Sequence, residues 1–381
     1  MKSQLDLNSN ILAGSELRVL LNSDHISYGE IHATLKEKGI FIGNSDKSIT
    51  VPLLSATLLT PDNFSRLIEA SVVRESKPKI KASTIQLTGK DLDWCSPLKK
   101  ALVDDCSSFI KGLESIDFVE SPEVVIVGKN KIHIPYTVIK KDYSKDWLQR
   151  EIEFHADVYV TQDRNTLTLE FSSHHSSKET EAINKKIISS IVKILKQLNL
   201  TSAEKPEQIS FKSFNNIERV RFFKRLTSGV LPRLNVGGVD NIDIVLDETA
   251  PELPPDPKIS WMKNAVRGLK IDGQKLNDIF LIADESFYQY YHIRKMDVEF
   301  TFNLGVNSGT CGVCFLFSPP SRAENAYRNG DLVYSFFKIS YNNVVNSDSK
   351  KSIEITLKEI VKGLLDKHYA QMIAERNFAK S

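Results

Sequence analysis

The stretch SYGEIHATLKEKGIFIGNSDKSITVPLLSATLL, Ser27 to Leu59, constrains the fold more than any other part of the chain. Ile31 and Leu35 share one helical face, Lys36 and Lys38 fall where that helix ends, and Gly39 is a good terminator in the left-handed position. Ile40, Phe41 and Ile42 are too apolar for a free loop, so the link is extended and packed. Asn44, Ser45 and Asp46 supply a second helix start, and Val51, Leu54, Leu58 and Leu59 form its apolar face. The stretch therefore predicts helix, extended link, helix, with Leu35, Ile40, Leu54 and Leu58 in one core. A helix from Ser15 to Asn22 precedes it. Thr60-Pro61-Asp62 begins another, with proline at its first position and Phe64, Leu67 and Ile68 facing inward.

A small-residue start, a lysine-ended helix, a glycine-hydrophobic link and a second amphipathic helix resemble the SAP and HeH-type helix-extension-helix modules. That resemblance implies nucleic-acid binding, with Lys36, Lys38 and Lys47 as its candidate cations. The other reading is a small helical packing domain. From Met1 to Glu75 there are seven Lys/Arg against nine Asp/Glu, so any DNA-binding surface here depends on local rather than net charge.

A chain of 381 residues is too long for one ordinary core, and 41% hydrophobic with 26% charged residues is a globular balance. A net charge of +2 singles out neither nucleic acid nor membrane as partner. No run approaches the roughly 18 apolar residues of a membrane span. The N-terminal residues lack the apolar core of a signal peptide, and four cysteines make no disulfide framework. These features place the chain in the cytoplasm, away from membranes.

The fold class expected is α+β and multidomain: a small all-α helix-extension-helix domain followed by an α+β body with antiparallel sheets. The boundaries fall at 1–75 for the helical domain, 76–205 for an α+β domain with a β-meander and a long helix, and 206–381 for an α+β C-terminal region. RESKPKIKAS, Arg74 to Ser83, is the first connector. In the second region Ile80 to Leu87 alternates as a strand and Asp91 to Leu113 reads as an amphipathic helix. The meander follows at Val124–Val127, Ile132–Ile139, Ile152–Val160 and Thr166–Phe171, and Glu179 to Leu198 forms a helix on Ile183, Ile187, Ile191, Ile194 and Leu198. In the third region a short helix covers Asn216 to Leu226. Strands are expected at Ile242–Leu246, Ile279–Ala283, Met296–Leu304, Cys311–Phe317 and Val333–Ile339, and a closing helix at Ser349–Glu375. ETAPELPPDPK, Glu248 to Lys258, clusters acids and prolines and reads as a surface loop or linker.

The helix NNIERVRFFKRL is the best electrostatic patch. Arg219, Arg221, Lys224 and Arg225 surround Phe222 and Phe223, with only Glu218 opposing. Arginine forks onto phosphate oxygens while phenylalanine anchors the helix, a mix that suits phosphate-backbone contact. Lys77, Lys79 and Lys81 of the connector add non-specific attraction. The alternative for each is a solvated face, or pairing with acids elsewhere.

Cys311 and Cys314 form a CxxC, but on a strand their sulfurs point to opposite faces and no second pair exists; buried strand cysteine is the better reading. His174 and His175 follow a strand beside His155 and Asp157, which look outward from the face of Phe154, Ala156 and Val158; a solvated strand face is the default. A nuclease core would need an acid and then Asp/Glu-x-Lys, but Ser172 stands where Glu170 requires lysine. No catalytic set, metal site or cofactor is assigned.

SELRVLLNSDHIS, LKEKGIFIGNSDKSITVPLL and LLTPDNFSRL together are similar to the B subunits of GAPS-type two-gene bacterial anti-phage systems. The resemblance implies a non-catalytic sensing or targeting subunit that acts with a separate nuclease subunit; joined to the helix-extension-helix module and the basic helix, it makes the leading expectation a DNA-engaging subunit, with a homo-oligomer within the complex also open. Two alternatives stand beside it: a divergent Mg-dependent nuclease acting alone, and a scaffold without nucleic-acid contact.

Overall fold

The structure, a computed structural model, describes residues 14–22, 26, 28–44, 46–67, 78–88, 94–104, 106–113, 115–128, 130–141, 151–163, 168–227, 233–260, 262, 268–273, 276, 279–319 and 326–378. The protein is α+β, with a helical N-terminal region and antiparallel strands with helices after it. The chain divides into two compact units, one comprising 1–78, 89–161 and 173–200, the other 79–88, 162–172 and 201–381.

In the first unit, α1 (Gly14–Asn22), α2 (Tyr28–Glu37) and α3 (Lys47–Ser55) enclose a small core with residues 61–67, which are also helical. Gly39 has φ +76°, and the Ile40 amide returns to the Leu35 carbonyl at 2.9 Å, closing α2 with a left-handed cap. The extended link is fixed by His32, whose Nε2 lies 2.9 Å from the Ile42 carbonyl oxygen. Asp46 caps α3 by accepting from the Ser48 amide at 2.8 Å. Thr60 and Asn63 cap residues 61–67 reciprocally. Leu17, Leu21, Ile31, Leu35, Val51, Leu54, Phe64 and Leu67 are buried, and Ile40, Ile42 and Leu59 pack at the rim. Leu58 departs from the expectation. The helix stops at Ser55, so Leu58 lies past its apolar stripe and is 93% exposed. Ile68 lies outside the described residues.

The same unit contains α4 (Cys95–Asp104), β2 (Ile116–Glu120), β3 (Val125–Gly128), β4 (Lys131–Lys141) and β5 (Glu151–Asp163), which runs to the unit's edge. It also contains the end of β6 (Thr168–His175) and α5 (Lys178–Gln197). β4 pairs antiparallel with β2, β3 and β5. The long helix expected over Asp91–Leu113 is shorter: α4 covers ten residues, and Cys106–Phe109 form a separate 3-10 turn. Helix α5 starts at a Ser177/Thr180 capping box and buries Ile183, Ile187, Ile191 and Leu195. Ile194 is only half-buried and Leu198 is exposed, because the apolar stripe runs through Leu195 instead, with Ile188 and Val192 beside it.

The second unit is built on β1 (Lys79–Gln86), β7 (Leu234–Leu246), β8 (Gly268–Asp272), β9 (Tyr291–Leu304), β10 (Asn307–Ser318) and β11 (Asp331–Tyr341). They run in the order β1-β11-β10-β9-β7-β8. Strand β1 meets β11 at Ile80↔Tyr334, so the sequence-adjacent strand belongs with the C-terminal residues. Helices α6 (Asn216–Leu226) and α7 (Ser347–Phe378) complete the unit. Ile279–Ala283 is not a strand. Residues Phe280–Ala283 form a helical turn, and the Tyr288 and Tyr291 hydroxyls donate to the carbonyls of Ile282 and Leu281, overriding the β-branched bias of the segment.

Candidate nucleic-acid interface

Helix α6 begins with Asn215, whose side chain accepts from the Glu218 amide at 2.8 Å, while Glu218 reaches back to the Asn215 amide at 2.9 Å. Val220, Phe222, Phe223 and Leu226 point into the core. Arg219 points there too and is only 2% exposed, where the pattern had put it on the outer face. Its guanidinium donates to the carbonyls of Phe211 and Phe214 at 2.9 and 2.7 Å and lies 3.5 Å from the Phe211 ring centroid. Burial pulls its pKa down, to about 10, which leaves it charged at neutral pH. The sequence carries no signal of this burial, because the Phe211 and Phe214 carbonyls that hold the guanidinium are brought to it by the fold.

The other cations of α6 meet carboxylates or a phenol. Arg221 reaches Glu285 at 2.7 Å, Arg225 Nη2 donates to both carboxylate oxygens of Glu375 at 2.7 and 2.8 Å, and Lys224 donates to the Tyr288 hydroxyl at 3.3 Å. Glu218 is gripped by Arg376 at 2.7 and 2.8 Å. The hydrogen bonds from Arg376 hold its carboxyl below the ordinary value against the opposing effect of burial. The outer face of α6 is thus a set of matched pairs rather than an unopposed basic stripe.

On the N-terminal module, Lys36 is exposed and Lys38 half-exposed at the end of α2. Lys47 opens α3, its ammonium 5.6 Å from the centroid of the exposed Tyr28 ring. Of the connector lysines, Lys79 is exposed. Lys81 is buried against Asp331. Lys77 lies outside the described residues.

The first unit holds a polar cluster. Asp157 on β5 sits between His174 Nδ1 at 2.7 Å and His133 Nε2 at 3.3 Å. His133 stacks on Tyr159 at 4.1 Å, and the Lys131 ammonium is 5.2 Å from the same ring's centroid. Burial opposes ionisation of Asp157, but the hydrogen bonds and charge of the two imidazoles prevail and hold its carboxyl well below the usual range. His155 is exposed, as expected of a solvated face, but His174 and His175 are buried and Asp157 is half-buried between imidazoles; His133, on the neighbouring strand, went unread because β4–β5 register is non-local. Glu170, in the second unit, pairs with Lys362 of α7 at 2.7 Å.

Cys311 and Cys314 lie on β10, buried and unbridged. Cys311 joins the apolar core, while Cys314 lies beside Asp297 and Lys295 on the other side of the sheet. Burial pushes the Cys311 thiol up to about 12. Among the described residues, no group of three or more His, Cys, Asp or Glu side chains is placed to hold a metal ion, and no helix is long and apolar enough to cross a membrane.

These features define an α+β protein carrying a helix-extension-helix module. Residues 15–77, under a fifth of the chain, match the family model of the GAPS4b protein N-terminal domain. The module therefore resembles that of the GAPS4b proteins, as its helix-link-helix residues indicated. Comparison with curated proteins gives no match.

Proposed function

We propose that the chain is a non-catalytic, nucleic-acid-engaging subunit of a bacterial anti-phage defence system, acting in the cytoplasm beside a separate nuclease subunit. The observation that carries this reading is the match of residues 15–77 to the GAPS4b N-terminal domain. The helix-extension-helix geometry supports it, because Lys36, Lys38 and Lys47 stand at the two helix ends that flank the extended link. Contact through these lysines fits a phosphate-positioning role. The carboxylate partners of Arg221 and Arg225 make α6 the weaker phosphate surface. An Mg-dependent nuclease would need carboxylates converging on a cation, and Asp157 instead faces two imidazoles.

The test is purified chain with DNA and Mg²⁺, alone and with the product of an adjoining nuclease gene. The expected result is retention of DNA without cleavage by the chain alone, and cleavage once the second subunit is added. Cleavage by the chain alone, abolished by substitution within the chain, would overturn the non-catalytic reading.

A further inference from the structure

A cluster of positive charge in the second unit lies around His292, near the N-terminal end of α6. Arg219, Arg294 of β9 and Arg328 of the Ala326–Asn329 turn surround His292 and Tyr327. His292 Nε2 lies 2.8 Å from the Tyr327 hydroxyl, the Arg294 guanidinium is 5.5 Å from the Tyr327 ring centroid, and Phe211 packs edge-on against both rings.

The carboxylates here do not balance the guanidiniums. Asp243 is engaged by Arg294. Asp247 accepts from Asn216 at 2.7 Å and from the Thr249 hydroxyl at 2.7 Å, so Arg328 reaches it only at 3.5 Å. Glu218 is occupied by Arg376. Arg219 donates to carbonyls and to Asn216 Oδ1, with no carboxylate of its own among these bonds. Four arginines thus face three carboxylates. Burial, with the nearby guanidiniums, pulls His292 down to about 3, so it adds no charge at neutral pH. Buried nitrogens remain without hydrogen-bond partners at Arg219 Nε, Arg328 Nε and His292 Nδ1. A buried cation lacking an opposite charge is costly, and a bound anion offsets that cost.

We propose that Arg328, backed by Arg219 and flanked by Arg294, is the receptor for a phosphate-class anion. The side chains of Arg328 and Arg294 are 33% and 38% exposed, so both reach solvent, while Arg219 contributes field from below. A guanidinium presents parallel N–H groups that match two phosphate oxygens, and Arg328 is the one least engaged by its neighbours. The phosphate is either the backbone of a nucleic acid or a free phosphate. The first source rests on the proposed nucleic-acid reading; the site itself does not.

The experiment uses the full chain. Its thermal unfolding is followed in inorganic phosphate and in sodium chloride of equal ionic strength, and duplex DNA binding is followed across a salt series. Phosphate is expected to raise the midpoint of the wild type. Arg328→Gln should weaken phosphate binding about tenfold or more, the loss of a charged hydrogen-bonding group. Arg221→Gln, which removes a cation already paired with Glu285, should leave the phosphate response intact and serves as the charge control. Should Arg328→Gln fold poorly, Arg328→Lys keeps the charge without the fork and is expected to show an intermediate response. No phosphate response in the wild type, or a full response in Arg328→Gln, would overturn the site. If DNA is the source, the salt slope in Arg328→Gln drops by about 0.9 per lost contact. An unchanged slope with lost phosphate binding assigns the site to free phosphate and leaves the nucleic-acid reading to the N-terminal lysines.

Discussion

Arg376, in the last turn of α7, forks onto both carboxylate oxygens of Glu218, in the first turn of α6, at 2.8 and 2.7 Å. Glu218 also receives the Asn215 amide, so one carboxylate closes the capping box and ties the two helices together.

Replacing Glu218 by Ala should destabilise the second unit by about 1.5–3 kcal/mol, the range for charged hydrogen bonds. Because the folded carboxyl titrates below its ordinary 4.5, this stabilisation is complete above that value and is lost as the pH falls through the folded pKa. Urea unfolding at pH 7 and on an acid series checks both points: the wild-type and alanine curves should converge on acidification.

Leu54→Ala should cost about 2–5 kcal/mol, because Leu54 is fully buried among the three N-terminal helices. Leu58→Ala should stay within about 0.5 kcal/mol, as exposed substitutions do. Far-UV circular dichroism melts separate the two. A large effect at Leu58 would mean that this face is covered in solution.

Asp157→Asn should destabilise by about 1–3 kcal/mol by loosening two imidazole contacts at once. A double-mutant cycle with His174→Gln is expected to show coupling of about 0.5–3 kcal/mol. Additive losses would remove Asp157 from the role of shared anchor.

Cys311 and Cys314 should resist alkylation by iodoacetamide at pH 8 in the native chain and react on unfolding. Both are buried, and desolvation disfavours both thiolates. Mass spectrometry of digests reports each site; native labelling of Cys311 would contradict its place in the core.

Arg221, Lys224 and Arg225 replaced together by Gln should leave the DNA salt slope unchanged, since the arginines already face carboxylates and the lysine a phenol. Lys36, Lys38 and Lys47 replaced together should lower it by about 0.9 for each lost duplex contact. Filter binding across a salt series distinguishes these outcomes, and the reverse pattern would return the phosphate surface to α6.

What could be read from sequence was local. Gly39, Asp46 and the spacing of Ile31, Leu35, Val51 and Leu54 encode the N-terminal module within a few turns of chain, and the structure follows them. Leu58 was misread because periodicity continues on paper past Ser55, where the helix has stopped. Arg221 and Arg225 of α6 looked unopposed because Glu285 and Glu375 lie far away along the chain. The same reason hides His133 beside Asp157, a pairing set by strand register rather than spacing. Charge pattern gives the inventory of a surface; only the fold gives its balance.

The pairing of β1 with β11 has a consequence for biosynthesis. Lys81 and its partner Asp331 are 250 residues apart, and both strands belong to one unit. At a synthesis rate of about 5–20 residues per second, β1 waits roughly 10–50 s for the strand that satisfies that edge. During this interval an alternating apolar strand is a template for wrong partners. Its two lysines, Lys79 and Lys81, are charges of the kind that keep such an edge from pairing prematurely while the ribosome is still at work.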